Sequence, residues 1–439
     1  MSNNGQLKRS LGLVDATSLV ISCVIGVGIF RTAASVAAHA QAPWVVLLAW
    51  VVGGALSFLG ALCYAELGAA YPQAGGDYIY LSRAYGPCVG FLFGWTKILI
   101  ERIGTITILG IVFADYLSRL VHYGPDVSRA VATAAILLLT GVNILGVHLG
   151  KNLQNFLAAL KIAALLLIIG VGLFSGGAHW DYLSTSTVVR INAQSIQMFG
   201  MALVFVFWTY GGWEASAYVA EEVNDPARVL PWSILYGLLI ITVLYLTVNM
   251  VYMLYVPLSQ MPGKPLMAAE VMKQALGPWG EKGTSLMVAC SALGALSAMV
   301  MTSSRILLAV GRDHALMKPM AAISEKTHTP VRALLFNGVG AVVLLWIGTF
   351  DQIVTYSTVA IAIFSSMAAF SVIVLRAKDP QTPRPYKVWG YPVTPVLFTG
   401  AMTLFIGNAA LTSPKDAGIG FLLVLLGIPL YLFSRSLRK

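Results

Sequence analysis

Hydrophobic residues along the chain form long blocks that charged residues separate. A helix needs roughly 20 apolar residues to cross the ~30 Å hydrocarbon core of a bilayer. Charge-free runs of about that length or longer lie at 32–65, 130–150, 162–180, 191–213, 229–263, 283–304, 333–350, 352–375, 388–414 and 417–434. With a first block at 10–30 and another near 87–116, the pattern predicts about twelve transmembrane helices.

The composition excludes a soluble globular protein. Only 10% of the 439 residues are charged, against roughly 25% in soluble proteins. Hydrophobic residues make up 58%, and the mean hydropathy is +0.79. Intrinsic disorder is excluded by the same composition. We therefore expect an all-α polytopic membrane protein embedded in a lipid bilayer.

The basic residues are distributed unevenly between the two sides of the predicted bundle. With twelve spans both chain ends share one side, which carries 17 of the 28 Lys and Arg residues, while the other side carries eight. The positive-inside bias assigns the richer side to the cytoplasm. We therefore expect a multi-pass protein of the cell membrane with both termini cytoplasmic. Topology, and not a nucleic acid partner, then explains the net charge of +10.

The sequence contains no pattern that favours covalent or metal chemistry. Its six histidines have no metal spacing, and its four cysteines (Cys23, Cys63, Cys88 and Cys290) lie in apolar stretches. Nucleotide-binding and nucleophile motifs are absent from the sequence. We expect no enzyme activity, no cofactor and no metal site. A membrane-embedded enzyme would need clustered acids or histidines within its spans, and is the weaker hypothesis.

Two predicted spans contain glycine clusters away from their ends. Gly26 and Gly28 lie in the first span, and Gly211 and Gly212 lie in the sixth. Tight helix packing is the simple explanation for one such pair. Interrupted helices in corresponding halves instead indicate a transporter site near the bilayer midplane. A broken helix exposes N–H groups that bind a carboxylate and carbonyls that suit an ammonium, so a zwitterion fits both. A channel or receptor has no use for such a pair.

Four motifs, in this order, extend over nearly the whole chain. They are Gly26-Val27-Gly28-Ile29-Phe30; Glu66-Leu67-Gly68 with Tyr71-Pro72 and Gly75-Gly76-Asp77-Tyr78; Tyr210-Gly211-Gly212-Trp213 continuing to Glu221-Glu222-Val223-Asn224-Asp225-Pro226; and Thr302-Ser303-Ser304-Arg305 with Thr329-Pro330-Val331 and Arg384-Pro385-Tyr386. Together they resemble the amino acid–polyamine–organocation (APC) superfamily, and within it the prokaryotic type of the L-type amino acid transporter branch.

The resemblance implies a LeuT-like fold. Such a fold has two inverted repeats of five helices, with helices 1 and 6 broken, and here two additional helices would follow. The repeats are expected at residues 10–180 and 191–376 and the additional helices at 388–434, all within a single transporter domain at 1–439.

The resemblance also implies substrate-binding residues at both breaks: Val24, Ile25, Gly26, Val27, Gly28, Trp208, Thr209, Tyr210 and Gly211. Backbone N–H groups at 26–28 would bind the substrate carboxylate, and carbonyls at 24, 25, 208 and 211 its ammonium. Trp208 would cover the substrate as an aromatic lid. Many relatives have Ser in place of Val27, so one hydrogen bond fewer is expected here. Relatives that take dibasic substrates can carry an acid where Gly211 stands, so glycine favours neutral side chains.

Charged residues near the third and sixth spans have structural interpretations. Asp225 followed by Pro226 predicts the N-cap and first turn of a short helix. The group Glu221, Glu222, Asp225 and Arg228 predicts capping and ion pairs that close the inner face, rather than substrate ligands. Glu101 and Arg102 are adjacent in the third span, so we expect them to face different sides, each with its own partner.

Lys161 stands ten residues past Lys151, about 15 Å into the predicted fifth span. A lysine can snorkel only part of that distance, so its ammonium needs partners inside the bundle. A structural ion pair is the simple alternative. The resemblance implies a built-in cation instead: Lys161 would replace the sodium of LeuT-like relatives, bonding carbonyls near Ser22 and Cys23 and hydroxyls of the eighth span.

The leading hypothesis is a secondary transporter that carries neutral L-amino acids by alternating access, without sodium and by exchange. Proton-coupled symport, or a related amine or polyamine substrate, is the alternative. Mammalian L-type relatives bind a single-span glycoprotein through a cysteine between spans three and four. That loop, at about 117–129, contains no cysteine here. We therefore expect a monomer with no disulfide-linked heavy subunit.

Overall fold

The structure is a computed structural model that describes residues 12–71, 76–146, 151–184, 189–214, 223–313 and 315–436. Sixteen helices in these ranges are numbered in chain order. They are α1 Leu13–Val24, α2 Ala33–Ala38, α3 Pro43–Ala70, α4 Asp77–Tyr85, α5 Pro87–Thr96, α6 Ile103–Val121, α7 Pro125–Ile144, α8 Lys151–Phe174, α9 Ala193–Tyr210, α10 Pro226–Tyr255, α11 Met267–Asp313, α12 Val331–Ile347, α13 Phe350–Lys378, α14 Val393–Thr412, α15 Pro414–Leu425 and α16 Gly427–Ser436. A π-helical turn, Lys97–Arg102, joins α5 to α6. The 3-10 segments are Gly28–Phe30, Trp180–Leu183, Leu258–Gly263 and Ala315–Ala321.

Seven helical segments of the described chain are long and apolar enough to cross a membrane. They are Pro43–Ala70, Pro125–Ile144, Arg228–Tyr255, Met267–Leu308, Phe350–Lys378, Val393–Thr412 and Pro414–Ser434, with shorter apolar helices at Leu13–Val24, Ala159–Phe174 and Val331–Ile347. Large apolar side chains on outer helices are exposed, for example Leu138 at 67% and Leu404 at 77%. Surfaces of this kind suit lipid tails and not water. The chain is a multi-pass membrane protein, and its total of twelve spans stays a prediction.

Small residues let the central helices approach closely. A β-carbon on Gly54 of α3 would lie 2.7 Å from Thr242 Oγ1 of α10. A β-carbon on Gly237 of α10 would likewise lie 2.7 Å from a methyl group of Val20 in α1. Helix pairs in lipid associate through such small-residue contacts. The long helix α10 therefore contacts both α1 and α3, and it holds the end of α1 in place.

The first of the two predicted interruptions is present, and the described helix of the sixth span ends at its glycine cluster. α1 ends at Val24, residues 25–27 are not helical, and the 3-10 turn Gly28–Phe30 leads towards α2. α9 ends at Tyr210 and a turn follows at 211–214. Gly212 in that turn has a φ of 115°, which only glycine adopts without strain. The break in the first span is confirmed. The continuation of the sixth-span helix after its glycine cluster falls outside the described residues, so it stays a prediction, as does the inverted repeat.

The prediction of a short helix after Asp225 is wrong in its length. Pro226 begins α10, which runs for 30 residues to Tyr255. Asp225 does occupy the N-cap position, but its φ of 48° is left-handed and its side chain makes no capping hydrogen bond. Proline at the first helical position, where no N–H is needed, is therefore the local signal that starts this helix.

The two ends of the bundle differ in their contacts. α3 and α13 both end at one side, which we name the basic face, and both begin at the other, which we name the opposite face. At the basic face Lys378 Nζ donates to the Ala84 carbonyl of α4 at 2.7 Å. At the opposite face Ser35 Oγ of α2 donates to Asp351 Oδ1 of α13 at 2.7 Å.

Candidate functional site

The two interrupted helices meet each other inside the bundle. A β-carbon on Gly28 would lie 2.9 Å from Trp208 Cζ3 and 3.3 Å from Thr209 Cγ2. A β-carbon on Gly212 would lie 2.7 Å from the Cys23 carbonyl oxygen. Glycine at both positions is what permits this approach. Predicted site residues from the first and sixth spans are thus brought together, although 180 or more positions separate them along the chain.

The first break leaves backbone N–H groups without backbone acceptors. Ile25 N–H donates to Ile21 at 2.9 Å, and Phe30 N–H donates to Val27 at 3.1 Å. Between them, the N–H groups at 26–28 donate to no backbone carbonyl within the described ranges. Buried N–H groups need an acceptor. Three successive amides in a non-helical turn form an arrangement that suits a carboxylate.

Carbonyl groups at the two breaks are partly engaged. Tyr245 OH of α10 donates to the Val24 carbonyl at 3.0 Å and lies 3.4 Å from that of Thr209. The Trp208 carbonyl accepts from Gly211 N–H at 3.1 Å. Because a carbonyl oxygen has two lone pairs, each can still accept a further donor such as an ammonium. Tyr245 could not be identified from the sequence, because α10 has no glycine cluster or break.

The side chains at the sixth-span break have different surroundings. Trp208 is half-buried and packs edge-to-face against Phe350 of α13, with 6.2 Å between ring centroids. Thr209 Oγ1 lies 3.0 Å from Thr32 Oγ1, which links the two broken helices. Tyr210 is fully buried and donates to the Trp50 carbonyl of α3 at 3.1 Å. Its side chain therefore packs on α3, and only its backbone belongs to the break.

Trp208 also connects to the opposite face of the bundle. The guanidinium of Arg31 stands 4.4 Å from the centroid of the Phe350 ring, on which Trp208 packs. Arg31 Nε lies 3.5 Å from Asp115 Oδ2 of α6. Arg31, Asp115 and Phe350 therefore continue from Trp208 towards the opposite face. The sequence analysis missed all three residues, since their contacts join distant helices.

Lys161 reaches the first broken helix from α8. Its Nζ donates to the Ser22 carbonyl at 2.8 Å, as the resemblance implies. A bond to a hydroxyl of α11 is also expected, but the described residues show none from this lysine. Ser303 of α11 is instead buried, and its hydroxyl has no hydrogen-bond partner in the described chain.

Glu101 and Arg102 have partners that the sequence did not reveal. Lys97 Nζ lies 2.8 Å from Glu101 Oε2 and 3.8 Å from Glu214 Oε1. Arg102 Nη1 donates to Met299 Sδ of α11 at 3.2 Å. Each therefore has a partner of its own, as expected, but Arg102 Nε lies only 3.9 Å from Glu101 Oε1, so the expectation that the two side chains face different sides is wrong. The π-helical turn changes the spacing of side chains from that of the α-helix on which the expectation was based.

The acidic group after the sixth span is only partly described. Glu221 and Glu222 lie outside the described residues. Asp225 and Arg228 are exposed, and neither forms an ion pair within the described part of the chain. Their predicted role in closing the inner face therefore stays a prediction.

A different acid, Glu66, joins helices at the basic face. It is only 2% exposed and accepts from Arg376 Nε at 2.8 Å and Nη2 at 2.6 Å. The backbone N–H of Val388 donates to it at 2.6 Å. This bidentate pair holds the end of α3 to the end of α13.

Another acid of the basic face, Asp379, lies in the loop after α13. Hydrogen bonds from Thr382 and Tyr71 hold the pKa of Asp379 below its usual value.

Comparison with known proteins identifies the family of the chain. A family model described as "Amino acid permease" matches residues 11–431. The chain is 30% identical to "Serine/threonine exchanger SteT" of Bacillus subtilis over 440 residues, covering 100% of this chain and 99% of the relative. It is 31% identical to "b(0,+)-type amino acid transporter 1" of Oryctolagus cuniculus, covering 87% of this chain and 79% of the relative. It is 30% identical to human "Large neutral amino acids transporter small subunit 2", covering 97% and 80%. The chain belongs to the amino acid permease family.

Proposed function

We propose that the protein exchanges neutral L-amino acids across the cell membrane, without sodium and by alternating access. The observation that carries the proposal is the contact between the two glycine-rich segments: Gly28 lies against Trp208, and the N–H groups at 26–28 have no backbone acceptor in the described chain. The names of its relatives, which include a serine/threonine exchanger and a large neutral amino acid transporter, support the substrate class.

The proposed binding mode uses the backbone at both breaks. N–H groups at 26–28 hold the substrate carboxylate, and the carbonyls of Ile25 and Gly211 face its ammonium, with those of Val24 and Trp208 beside them. The indole of Trp208 covers the substrate on the side that points towards the opposite face of the bundle. Gly211 offers no acid to a second ammonium, which favours neutral side chains. Backbone recognition of the zwitterion leaves the side-chain preference to other residues.

Lys161 takes the place of a coupling cation in this proposal. Its hydrogen bond to the Ser22 carbonyl puts a permanent ammonium beside the unwound part of the first span. A bound sodium ion would stabilise the same carbonyls, so a fixed positive charge makes sodium unnecessary. Proton symport is the alternative, since an ammonium with a neutral partner could also release its proton during the cycle.

The proposed architecture is the LeuT-like fold with twelve spans. Residues 10–180 and 191–376 form the inverted repeats, 388–434 add two helices, and the basic face with both termini is cytoplasmic. A single chain is sufficient for transport. The absence of cysteine at 117–129 in the sequence supports a protein without a disulfide-linked partner.

Counterflow in proteoliposomes tests this function. The purified single chain is reconstituted in sodium-free buffer, and uptake of labelled L-serine, L-threonine or L-leucine is measured with and without unlabelled amino acid inside. Exchange predicts uptake only in loaded vesicles, at the same rate with or without sodium. Uptake into empty vesicles that follows an imposed proton gradient would support symport instead. If none of the amino acids moves, or if a second chain is needed, the proposal fails.

A further inference from the structure

Charged side chains of both signs meet inside the bundle, between the π-helical turn and the second break. Lys97 Nζ lies 2.8 Å from Glu101 and 3.8 Å from Glu214, and Arg102 Nε lies 3.9 Å from Glu101. The side chains of Lys97, Glu101 and Glu214 are only 10, 20 and 22% exposed. Charges in such surroundings depend on their partners, because water compensates them only in part.

Glu214 belongs to the turn that interrupts the sixth span. Its Oε2 accepts a hydrogen bond from Gly212 N–H at 2.9 Å, and Gly212 itself lies against the Cys23 carbonyl of α1. A carboxylate of the protein therefore binds a backbone N–H at the break, where a substrate carboxylate could bind equally well. The other partners lie on the Lys97–Arg102 turn, and π-helical turns are frequent at functional sites.

A narrow cavity adjoins these charges. It is lined by Thr96, Lys97, Glu101 and Glu214, by a third carboxylate, Asp77, and by Ala360 and Phe364 of α13. Its volume of about 20 Å³ has room for about one water molecule and not for an amino acid. Thr96 is only 4% exposed, and its hydroxyl has no hydrogen-bond partner in the described chain. A buried hydroxyl without a partner, in the wall of a polar cavity, indicates a ligand that supplies one.

We propose that this cavity is a second binding site for the α-ammonium and α-carboxylate groups of an amino acid, closed by the protein's own ion pairs when no amino acid occupies it. The inference rests on the proposed exchange function. The ammonium of the ligand takes the place of Lys97 beside Glu101 and Glu214. Its carboxylate takes the place of Glu214 beside Lys97 and the Gly212 N–H. The charges of Lys97, Glu101 and Glu214 each exchange one partner for another, so entry of the zwitterion leaves none of these three unpaired.

The same ion pairs make opening depend on the ligand. Lys97 belongs to the third span and Glu214 to the turn that follows α9. Opening the cavity without an amino acid separates Lys97 from Glu214, so the Glu214 carboxylate loses its lysine partner while Lys97 keeps Glu101. Opening with an amino acid exchanges their partners instead. The loaded protein therefore opens towards the basic face more readily than the unloaded protein, and this difference separates exchange from uniport.

Glu214→Gln tests the site in the full-length protein, reconstituted in one known orientation with labelled L-serine and L-leucine as probes. Glutamine keeps an oxygen for the Gly212 N–H but removes the charge that faces Lys97. The KM measured at the basic face should rise about tenfold, because a charge-assisted bond is lost, while the KM at the opposite face stays within about twofold. Efflux into amino-acid-free buffer should rise by a similar factor of about ten.

Two further variants complete the experiment. Glu270→Gln is the matched control, because it breaks the Lys264–Glu270 pair of 2.9 Å at the opposite face, and it should change neither KM nor efflux. Thr96→Val removes the unpartnered hydroxyl and should raise the KM at the basic face about threefold, even if Glu214→Gln does not fold.

The outcomes separate this inference from the proposed function. If KM changes equally at both faces in the variants, or if KM and efflux stay at their wild-type values, the second site is wrong. If the wild-type protein itself does not exchange amino acids, the proposed function fails instead.

Discussion

Two lysines stand at the same distance along their helices, and their partners differ. Lys161 is ten residues past the start of α8, and Lys97 is ten residues past the start of α5, so each lies about 15 Å from the first residue of its helix. Lys161 donates to the Ser22 carbonyl, and within the described chain no carboxylate lies within 4 Å of it. Lys97 instead lies near Glu101 and Glu214.

The difference separates two uses of a buried ammonium. A carbonyl partner is neutral, so Lys161 keeps a net positive charge beside the unwound part of the first span. Carboxylate partners compensate the charge of Lys97, so its main effect is to connect the third span to the second break. Keeping an uncompensated charge inside a membrane protein is costly and marks a functional position. We therefore expect a substitution that keeps the positive charge to affect transport more at Lys161 than at Lys97.

The largest effect is predicted for Lys161→Ala. The variant loses both the charge and the hydrogen bond to Ser22, and exchange should fall about 100-fold, the upper range for a bond from a charged donor. Sodium-free counterflow of L-serine measures the loss. Lys264→Ala, which removes an ion-paired lysine at the opposite face, is the control and should retain exchange. Full activity in Lys161→Ala would break the comparison, because the uncompensated charge would then have no function.

The sequence made one of these two regions predictable. Glycine clusters indicate both breaks directly, because glycine is the residue that lets the backbone leave a helix. An isolated lysine ten residues into an apolar block likewise needs a partner, and the resemblance indicated the carbonyls near Ser22. The Lys161–Ser22 bond was therefore expected, although the expected hydroxyl partners on α11 were not found among the described residues.

The other region could not be predicted from sequence. Lys97 and Glu101 are one turn apart, but Glu214 is more than 100 residues away, and only the packing of α5 against the second break brings it close. The π-helical turn also shifts side chains from their α-helical spacing. The orientation of Tyr210 towards α3 was missed for a similar reason, since a motif identifies a backbone break without fixing which way each side chain points.

Gly28→Leu tests whether the first break, next to Lys161, is the substrate site. A β-carbon at Gly28 already lies 2.9 Å from Trp208, so a leucine must displace the indole and occupy the space beside the free N–H groups. Overpacking of this kind costs about 2 kcal/mol, and we expect an exchange rate about 30-fold lower. Gly170→Leu in α8 is the matched control, because nothing lies within 4 Å of its β-carbon position. Equal losses in both variants would indicate a general folding defect and not a site at Gly28.

Trp208→Ala tests whether the region near Lys161 binds substrate. Removing the indole takes apolar surface from above the break, and the apparent affinity should weaken about tenfold while the protein still folds. Trp279→Ala, at a tryptophan that is 83% exposed, should leave the KM unchanged. Folding is checked by thermal stability in detergent. An unchanged KM and rate in Trp208→Ala would remove the lid from the site.

The smallest effect is predicted for a conservative exchange at Lys97. Arginine keeps the positive charge and offers several N–H donors to two carboxylates, so Lys97→Arg should preserve the pairs with Glu101 and Glu214 and change exchange by no more than about twofold. In Lys161→Arg, a planar guanidinium must fit where the ammonium donates to a single carbonyl, so we expect the exchange rate to fall about fivefold. Counterflow of L-serine in both variants, normalised to the amount of folded protein, measures the difference. If Lys97→Arg loses more activity than Lys161→Arg, the assignment of the two lysines must be reversed, because the ion-paired lysine would then be the one whose exact geometry transport requires.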